Sequence, residues 1–160
     1  YVEENDIDKD TGEMVQNAIE FSESSAKDVM TSWENVVCIS ADMPADDAAQ
    51  FIRNCGHSRL PVTDDSGDVI GTLSIRRFLK RYIKNQGNTS IREVMSTPEF
   101  IPVSTPVDDL LGALSQKRTH LAYIKSDNKV LGIITVEAIL EELVGEIYDE
   151  EDVIGGDTAV

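Results

Sequence analysis

Hydrophobic and polar positions alternate along the chain in two similar blocks of about 60 residues. In each block, short apolar segments of strand character lie between stretches of helical character, in the order helix, strand, helix, strand, strand, helix. The runs 69–74 and 130–135 are apolar enough to form buried strands. The predicted strands are 36–40, 60–63, 69–74, 100–104, 120–125 and 130–135, and the last helix of each block spans 75–84 or 136–147.

Residues that favour helix starts lie at matching places in both blocks. Ser90 to Glu93 has the capping-box pattern, and Ser25 to Asp28 is its weaker counterpart. After the first strand of the second block, Pro106 is predicted to be the first residue of a helix with an acidic first turn. Asp42, Asp46 and Asp47 are expected to open the matching helix in the first block.

The two blocks are copies of one another. Residues 26–31 reappear as 91–96 at an offset of 65, and the offset drifts only to 61 at the turns before the last strands. The period is longer than that of solenoid repeats, and two copies are too few for a propeller or an array. One copy alone is close to the lower size limit for a stable core, so we expect the two copies to pack face to face.

Charge is concentrated at the two ends of the chain. The net charge is −16, residues 1–28 hold nine acidic and two basic residues, and residues 141–160 hold eight acidic and no basic residues. Such ends repel phosphate backbones, which argues against nucleic-acid binding. The plainer interpretation, which we prefer, is that they are solvated spacers.

Several protein classes are excluded or made less plausible by what the sequence lacks. No apolar run approaches the roughly 20 residues that cross a bilayer. Cys38 and Cys55 are expected to be reduced thiols in a cytosolic setting. A chain that begins at Tyr1 is expected to be a fragment of a longer protein. No nucleophile–base pair, phosphate-binding glycine loop or closed metal cluster is present, so we expect no enzyme activity.

Residues 26–147 resemble a tandem cystathionine-β-synthase (CBS) domain pair, also called a Bateman module. The resemblance rests on four motifs, at residues 28–31, 58–62, 69–71 and 131–135. The flanking segments 12–21 and 141–152 resemble the CorC/HlyC family, whose members are membrane proteins linked to magnesium and cobalt transport. The resemblance implies an α/β (α+β-like) fold with two small sheets, flanking helices and pseudo-twofold symmetry.

This resemblance also sets the expected domain organisation and partners. The predicted segments are an acidic linker with a helix at 1–25, CBS repeats at 26–87 and 88–147, and an acidic tail at 148–160. The chain is then the soluble regulatory part of a membrane protein, on the cytoplasmic side of the membrane. Its expected partners are a second copy, forming a homodimer through the CBS pair, and the membrane domain of the same protein.

In CBS pairs the ligand is usually an adenine nucleotide bound between the copies, which implies ATP or AMP here, with Mg²⁺ for several phosphates. Helix N-termini and cationic side chains suit the phosphates, and a carboxylate suits the ribose hydroxyls. The resemblance places the nucleotide against Thr31, Val37, Ser58, Arg59, Leu60, Pro61, Thr135 and Ala138. It places a second, weaker site at Ser74, Arg77, Thr97 and His120.

The chain departs from the family where the ribose carboxylate belongs. Ala138 follows Thr135 at that place in the second copy, and Arg77 follows Ser74 in the first. Losing such a contact weakens binding by roughly 1.5–3 kcal/mol. Glu137 points about 100° around the helix and is a poor substitute.

Each candidate residue also has a purely structural interpretation. Thr135 and Ser74 could be simple helix N-caps, and the stem of Arg59 could cover surface. His57 and His120 are expected to be packing or surface residues, because neither has a partner at ligand spacing.

Three further features have a functional and a plain interpretation. Trp33 could stack on adenine, but a core or dimer contact is the safer prediction. Residues 149–152 could hold Mg²⁺ loosely or form a solvated helix end. The basic residues between 76 and 84 could capture phosphate, bind the acidic tail of the chain or form a solvated face.

These observations predict a non-catalytic sensor that responds to an adenine nucleotide by a shift in population between two conformations. The helices at 11–21 and 136–147 are expected to relay the change to the membrane domain. The alternative is a structural dimerisation module whose ligand site has degenerated, which the two missing carboxylates favour.

Overall fold

A computed structural model describes the backbone of residues 25–155 and the side chains of residues 25–145. The predicted helix at 11–21 and most of the predicted segment 1–25 lie outside the described residues. So do the side chains of the predicted acidic tail.

The described elements are six α-helices and seven β-strands within residues 25–155. The helices are α1 Ala26–Val29, α2 Ala45–Arg53, α3 Ile75–Lys84, α4 Ile91–Val94, α5 Val107–Gln116 and α6 Val136–Gly155. The strands are β1 Thr31–Ser32, β2 Ile39–Ser40, β3 Arg59–Thr63, β4 Val69–Ser74, β5 Phe100–Pro102, β6 Leu121–Ser126 and β7 Lys129–Thr135. A short 3₁₀ helix spans Trp33–Asn35.

The predicted mixed fold with two small sheets and flanking helices is confirmed, and most boundaries lie within a residue or two of the predicted ones. Strand β2 is shorter than 36–40, because only Ile39 and Ser40 pair with β3. Helix α5 begins at Val107, with Pro106 as its N-cap in extended conformation rather than as its first helical residue. Helix α6 extends to Gly155, beyond the predicted end at 147.

The described chain divides into two compact units. The first unit holds residues 34–99, and the second holds residues 100–155 together with residues 25–33. Each unit therefore contains most of one repeat and the leading segment of the other. Residues 25–33 begin the first repeat but pack in the second unit, while residues 91–99 begin the second repeat and pack in the first unit.

The second unit is built on a four-stranded sheet with the order β1-β7-β6-β5. Strand β1 is antiparallel to β7, with Thr31 opposite Ile133, and β5 is parallel to β6. The Ala26 N–H donates to the Thr105 carbonyl at 3.0 Å and fixes the start of α1. The buried core of this unit consists of Ala26, Ile101, Val107, Leu110, Leu114, Ala122, Ile124, Ile134 and Ile139.

The first unit has a three-stranded sheet with the order β2-β3-β4. Ser96 extends this sheet beyond β4, because its N–H and carbonyl exchange hydrogen bonds of 2.9 and 3.0 Å with Thr72. Ser96 thus occupies the place beside β4 that Thr31 occupies beside β7. The buried core consists of Ile39, Ala41, Ala48, Ile52, Leu60, Val62, Leu73, Phe78, Ile91 and Val94.

Hydrogen bonds of the predicted capping boxes are found at both leading helices. The Ser90 hydroxyl accepts from the Glu93 N–H at 3.2 Å, and the Ser25 N–H donates to Asp28 Oδ2 at 2.9 Å. In both contacts a backbone N–H at the start of the helix donates to a side-chain oxygen. Such contacts matter here because a one-turn helix has little stability of its own.

A glycine lies at each place where a leading segment joins its sheet. A Cβ atom on Gly132 would overlap the backbone carbonyl of Thr31. A Cβ atom on Gly71 would instead meet the Met95 side chain, with its sulfur at 2.5 Å. A methionine side chain can move aside, whereas a paired backbone carbonyl cannot. The two positions are therefore unequal in their tolerance of a side chain.

We expect Gly132→Ala to lower the free energy of unfolding by about 1–3 kcal/mol, because β1 must move away from β7. Gly71→Ala is expected to cost less, because only the end of Met95 must shift. Thermal unfolding followed by circular dichroism measures both, at about 2–4 °C per kcal/mol for a chain of this size.

Gly112→Ala in α5 is the matched control, because a Cβ atom there enters open space. This control is expected to be neutral or slightly stabilising, since alanine favours helix over glycine. An equal loss for Gly71→Ala and Gly132→Ala would show that the approach of β1 to β7 is not the tighter of the two.

Candidate functional site

A hydroxyl side chain stands at the junction between the last strand and the last helix of each unit. Ser74 Oγ accepts from the Arg77 N–H at 3.3 Å at the start of α3, and Thr135 Oγ1 accepts from the Ala138 N–H at 3.0 Å at the start of α6. Both residues are therefore N-caps. Each hydroxyl keeps its proton and a further lone pair for a ligand, so capping and ligand contact are compatible.

In the first unit, the junction is surrounded by residues of β3. Arg59 lies opposite Ser74 in the register of β3 and β4, and the Ile75 N–H donates to the Ser58 carbonyl at 3.1 Å. Ser58 is exposed and Arg59 is half-buried. Leu60 and Pro61, the next two residues of β3, are buried.

In the second unit, the corresponding junction contains a histidine. The Val136 N–H donates to the His120 carbonyl at 3.0 Å, and His120 Nδ1 lies 3.9 Å from Glu137 Oε1. Both of these side chains are more than half exposed, so their pairing is weak in water. Thr31 is exposed on the neighbouring strand β1, and its partner Ile133 lies two residues before Thr135.

Each predicted nucleotide site combines residues from both units, and the structure describes the two halves separately. In the first unit, Ser58 and Arg59 lie with Ser74 and Arg77, which the family resemblance assigned to the second site. In the second unit, Thr31, Thr135 and Ala138 lie near the junction that also holds His120. Val37 and Thr97, both in the first unit, are exposed and lie outside helices and strands. How the halves join remains a prediction.

The two junctions differ in charge. The first turn of α3 contains Arg76 and Arg77, and Arg59 lies on the strand beside it. The first turn of α6 contains Glu137 instead. The partial positive charge of a helix N-terminus attracts anions, so the first junction is the more favourable place for a phosphate group.

An aromatic cluster in the second unit was missed by the sequence analysis. Trp33 packs edge-on against Tyr123 with ring centroids 6.4 Å apart, and Phe100 lies 5.8 Å from the same ring. Lys125 Nζ lies 4.5 Å above the Phe100 ring. The contact of Trp33 with fully buried Tyr123 agrees with the core interpretation of this tryptophan. The sequence did not reveal this cluster, because it does not show the register of β5 and β6 that places Phe100 opposite Tyr123.

A depression of about 680 Å³ lies between α2 and α3 in the first unit, and the exposed His57 is part of its lining. On its wall the Tyr82 hydroxyl donates to Asp46 Oδ1 at 2.5 Å, and this hydrogen bond raises the pKa of Tyr82. The depression contains apolar and polar side chains without a convergent set of catalytic groups.

Among the described residues, no cluster of three or more His, Cys, Asp or Glu side chains could hold a metal ion. Cys38 and Cys55 are both free, and partial burial raises the pKa of the Cys38 thiol. No helix among residues 25–155 is long and apolar enough to cross a bilayer.

The sequence matches the profile of the CBS domain twice, at residues 26–84 and 91–145. It is 35% identical to the magnesium and cobalt efflux protein CorC of Vibrio cholerae, over 91% of this chain and 51% of that protein. It is 32% identical to the UPF0053 protein YrkA of Bacillus subtilis, over 92% of this chain and 35% of that protein. The chain thus spans between about a third and a half of such relatives.

Solved structures with the same fold include ligand complexes. The CBS domain of a bacterial CNNM/CorC family Mg²⁺ transporter in complex with ATP is 25% identical, with a TM-score of 0.76, covering 84% of this chain and 96% of that one. A hemolysin-like protein of Oenococcus oeni is also 25% identical, with a TM-score of 0.74 and coverages of 81% and 97%. A CBS-domain pair of Klebsiella pneumoniae with bound AMP, at 22% identity and a TM-score of 0.68, covers 76% and 98% and supports the fold alone.

The duplicated sequence, the two small sheets with capped helices and the double profile match lead to one conclusion. The chain belongs to the CBS domain family, as a tandem pair similar to the CBS domains of CorC-type proteins.

Proposed function

We propose that this CBS pair is the non-catalytic regulatory module of a CorC-type magnesium or cobalt transport protein and that it senses an adenine nucleotide. The observation that carries the proposal is the pair of hydroxyl-capped helix starts, Ser74 on α3 and Thr135 on α6, each beside polar residues of a neighbouring strand. A similar CBS domain of a CNNM/CorC family Mg²⁺ transporter forms a complex with ATP.

The side chains at these junctions have the chemistry that a nucleotide requires. The Arg59 guanidinium can form paired, charge-assisted hydrogen bonds with phosphate oxygens. The Ser74 and Thr135 hydroxyls can donate to ribose or phosphate oxygens while they accept from the backbone. We infer that Thr31, Ser58, Arg59 and Thr135 contact the same nucleotide, with Mg²⁺ accompanying a triphosphate.

The proposed signal is a change in the population of two conformations. Helix α6 begins at the Thr135 junction and continues for 20 residues, which is about 30 Å of helix. In this proposal a nucleotide that binds one conformation more tightly moves the start of this helix, and the helix carries the motion toward its C-terminal end. In the full-length protein we infer a homodimer on the cytoplasmic side of the membrane, coupled to a membrane domain.

The alternative is a structural dimerisation module that binds no nucleotide. Ala138 and Arg77 favour it, because both stand where CBS sites carry the ribose carboxylate. The two functions are separated by direct binding measurements on the chain.

We expect ATP and AMP to bind saturably, at one or two per chain, and to raise the midpoint of thermal unfolding. At a concentration 100 times the dissociation constant, a ligand specific for the folded state adds about 2.7 kcal/mol of stability. Isothermal titration with ATP, with and without Mg²⁺, and with AMP measures this directly. No heat and no stabilisation at millimolar ligand would support the dimerisation module instead.

Arg59→Ala is expected to weaken ATP binding by about tenfold or more, because a charge-assisted pair with phosphate is lost. Adenosine, which has no phosphate, is expected to bind both proteins equally. Arg53→Ala on α2 removes the same charge from an exposed position away from the junction and is the control. If both variants lose ATP affinity equally, Arg59 contributes only general charge.

Ala138→Asp restores the missing carboxylate and is expected to tighten adenosine binding by about tenfold. Binding of free adenine is expected to remain unchanged, because adenine has no ribose hydroxyls. Arg77→Asp is the matched variant at the other junction, and titration of adenosine and adenine into each protein makes the comparison. Unchanged adenosine affinity in both variants would show that neither helix start faces the ribose.

A further inference from the structure

Helix α3 carries five of the 14 basic residues of the chain within ten residues and has no acidic residue. Four of these side chains, together with Val94 of α4, line a depression of about 260 Å³ on the surface of the first unit. The four cations are Arg77, Lys80, Arg81 and Lys84. We refer to this depression as the cationic groove.

The packing of α3 against the core determines which face of this helix carries the groove. Phe78 is fully buried, and Leu79 and Tyr82 pack against the core of the first unit. The four groove cations are spaced three, one and three residues apart, so they form a stripe on the exposed part of the helix. The stripe is about 10 Å long, at 1.5 Å of rise per residue.

The groove cations have no acidic partner within the described residues. None of the four lies within 4 Å of a carboxylate oxygen there. Arg92 of the same unit provides the contrast, because its guanidinium pairs with Asp42 at 3.0 Å. Asp46, on the other side of α3, accepts from the Tyr82 hydroxyl. The groove therefore concentrates positive charge in a protein of net charge −16.

The stability of the helix does not explain the stripe. Arg81 and Lys84 lie in the last turn, where cations favour the helix dipole. Arg76 and Arg77 lie in the first turn, where the same dipole disfavours them. An anion in the groove would offset the repulsion at that end and the mutual repulsion along the stripe.

The fold does not require the stripe either. Helix α6 follows its strand pair as α3 does, at an offset of 61 residues, and carries acidic or uncharged residues at the matching positions. The five basic positions of α3 correspond to Glu137, Ala138, Glu141, Glu142 and Gly145.

We propose that the cationic groove is a polyphosphate-binding site. Clustered arginine and lysine side chains suit an extended anion with several phosphate oxygens, because guanidinium groups bind them in pairs and ammonium groups act as point charges. The negative charge on the rest of the protein repels an anion, but this repulsion is screened beyond about 8 Å at physiological ionic strength. The charge of the groove itself therefore determines whether an anion binds there. The groove shares only Arg77 with the proposed nucleotide sites and stands without them.

The test is titration of inorganic tripolyphosphate into the 160-residue chain at physiological ionic strength. The groove variant replaces Lys80, Arg81 and Lys84 by glutamine, and the control variant replaces Lys27, Arg53 and Lys129 by glutamine. Both remove three exposed positive charges. We expect saturable binding that the groove variant weakens at least about tenfold and the control leaves within about twofold. Backbone amide shifts on α3 and α4 locate the site.

Parallel titrations with ATP and adenosine distinguish the source of the phosphates. Competition between tripolyphosphate and ATP, lost in the groove variant, would assign the groove to the phosphate chain of a nucleotide. Independent binding of both would assign it to a free polyphosphate. The proposal is overturned if tripolyphosphate does not bind, or if both variants lose affinity equally. Adenosine binding reports on the nucleotide site alone, so failure of one proposal is visible without the other.

Discussion

The exchange of leading segments between the two repeats is the constraint on which the rest of the structure depends. Thr31 pairs with Ile133 in one sheet, and Ser96 bridges to Thr72 in the other. Because β1 approaches β7 so closely that Gly132 has no room for a side chain, the pairing fixes the register of the edge strand. Neither unit is made from one contiguous repeat, so each sheet and core is complete only when both copies are present.

This exchange also determines what surrounds each helix start. The leading segment enters its sheet beside the strand that runs into the last helix, so Thr31 is held near the Thr135 junction. The chain then passes through the short helix Trp33–Asn35 into the first unit. Strand β1 is therefore linked along the backbone to the first unit and, through its pairing with β7, to the strand that runs into α6.

The parts that sequence predicted well are those with strong local signals. The strand 69–74 and the helix 75–84 have the predicted bounds, because an apolar run ends at Ser74, a residue suited to an N-cap. Strand β2 was overestimated, because its length depends on pairing with Val62 and Thr63 rather than on its own residues. Comparing the two copies in sequence identifies equivalent positions. It does not show that the leading segment of each copy packs in the unit formed by the other copy. The predicted site residues were therefore found in halves on both units.

Duplication preserved the caps and cores of the two units but not their surface charge. Ser74 and Thr135 cap their helices in the same way, whereas Arg77, Lys80 and Arg81 on α3 correspond to Ala138, Glu141 and Glu142 on α6. The starts of α3 and α6, which are equivalent in the fold, therefore present different electrostatic fields to the same anion. A ligand shifts a conformational equilibrium only by its difference in affinity for the two states. The asymmetry in charge favours binding of a polyanion to the first unit over the second, and a response to that anion depends in addition on a difference in its affinity between the two states.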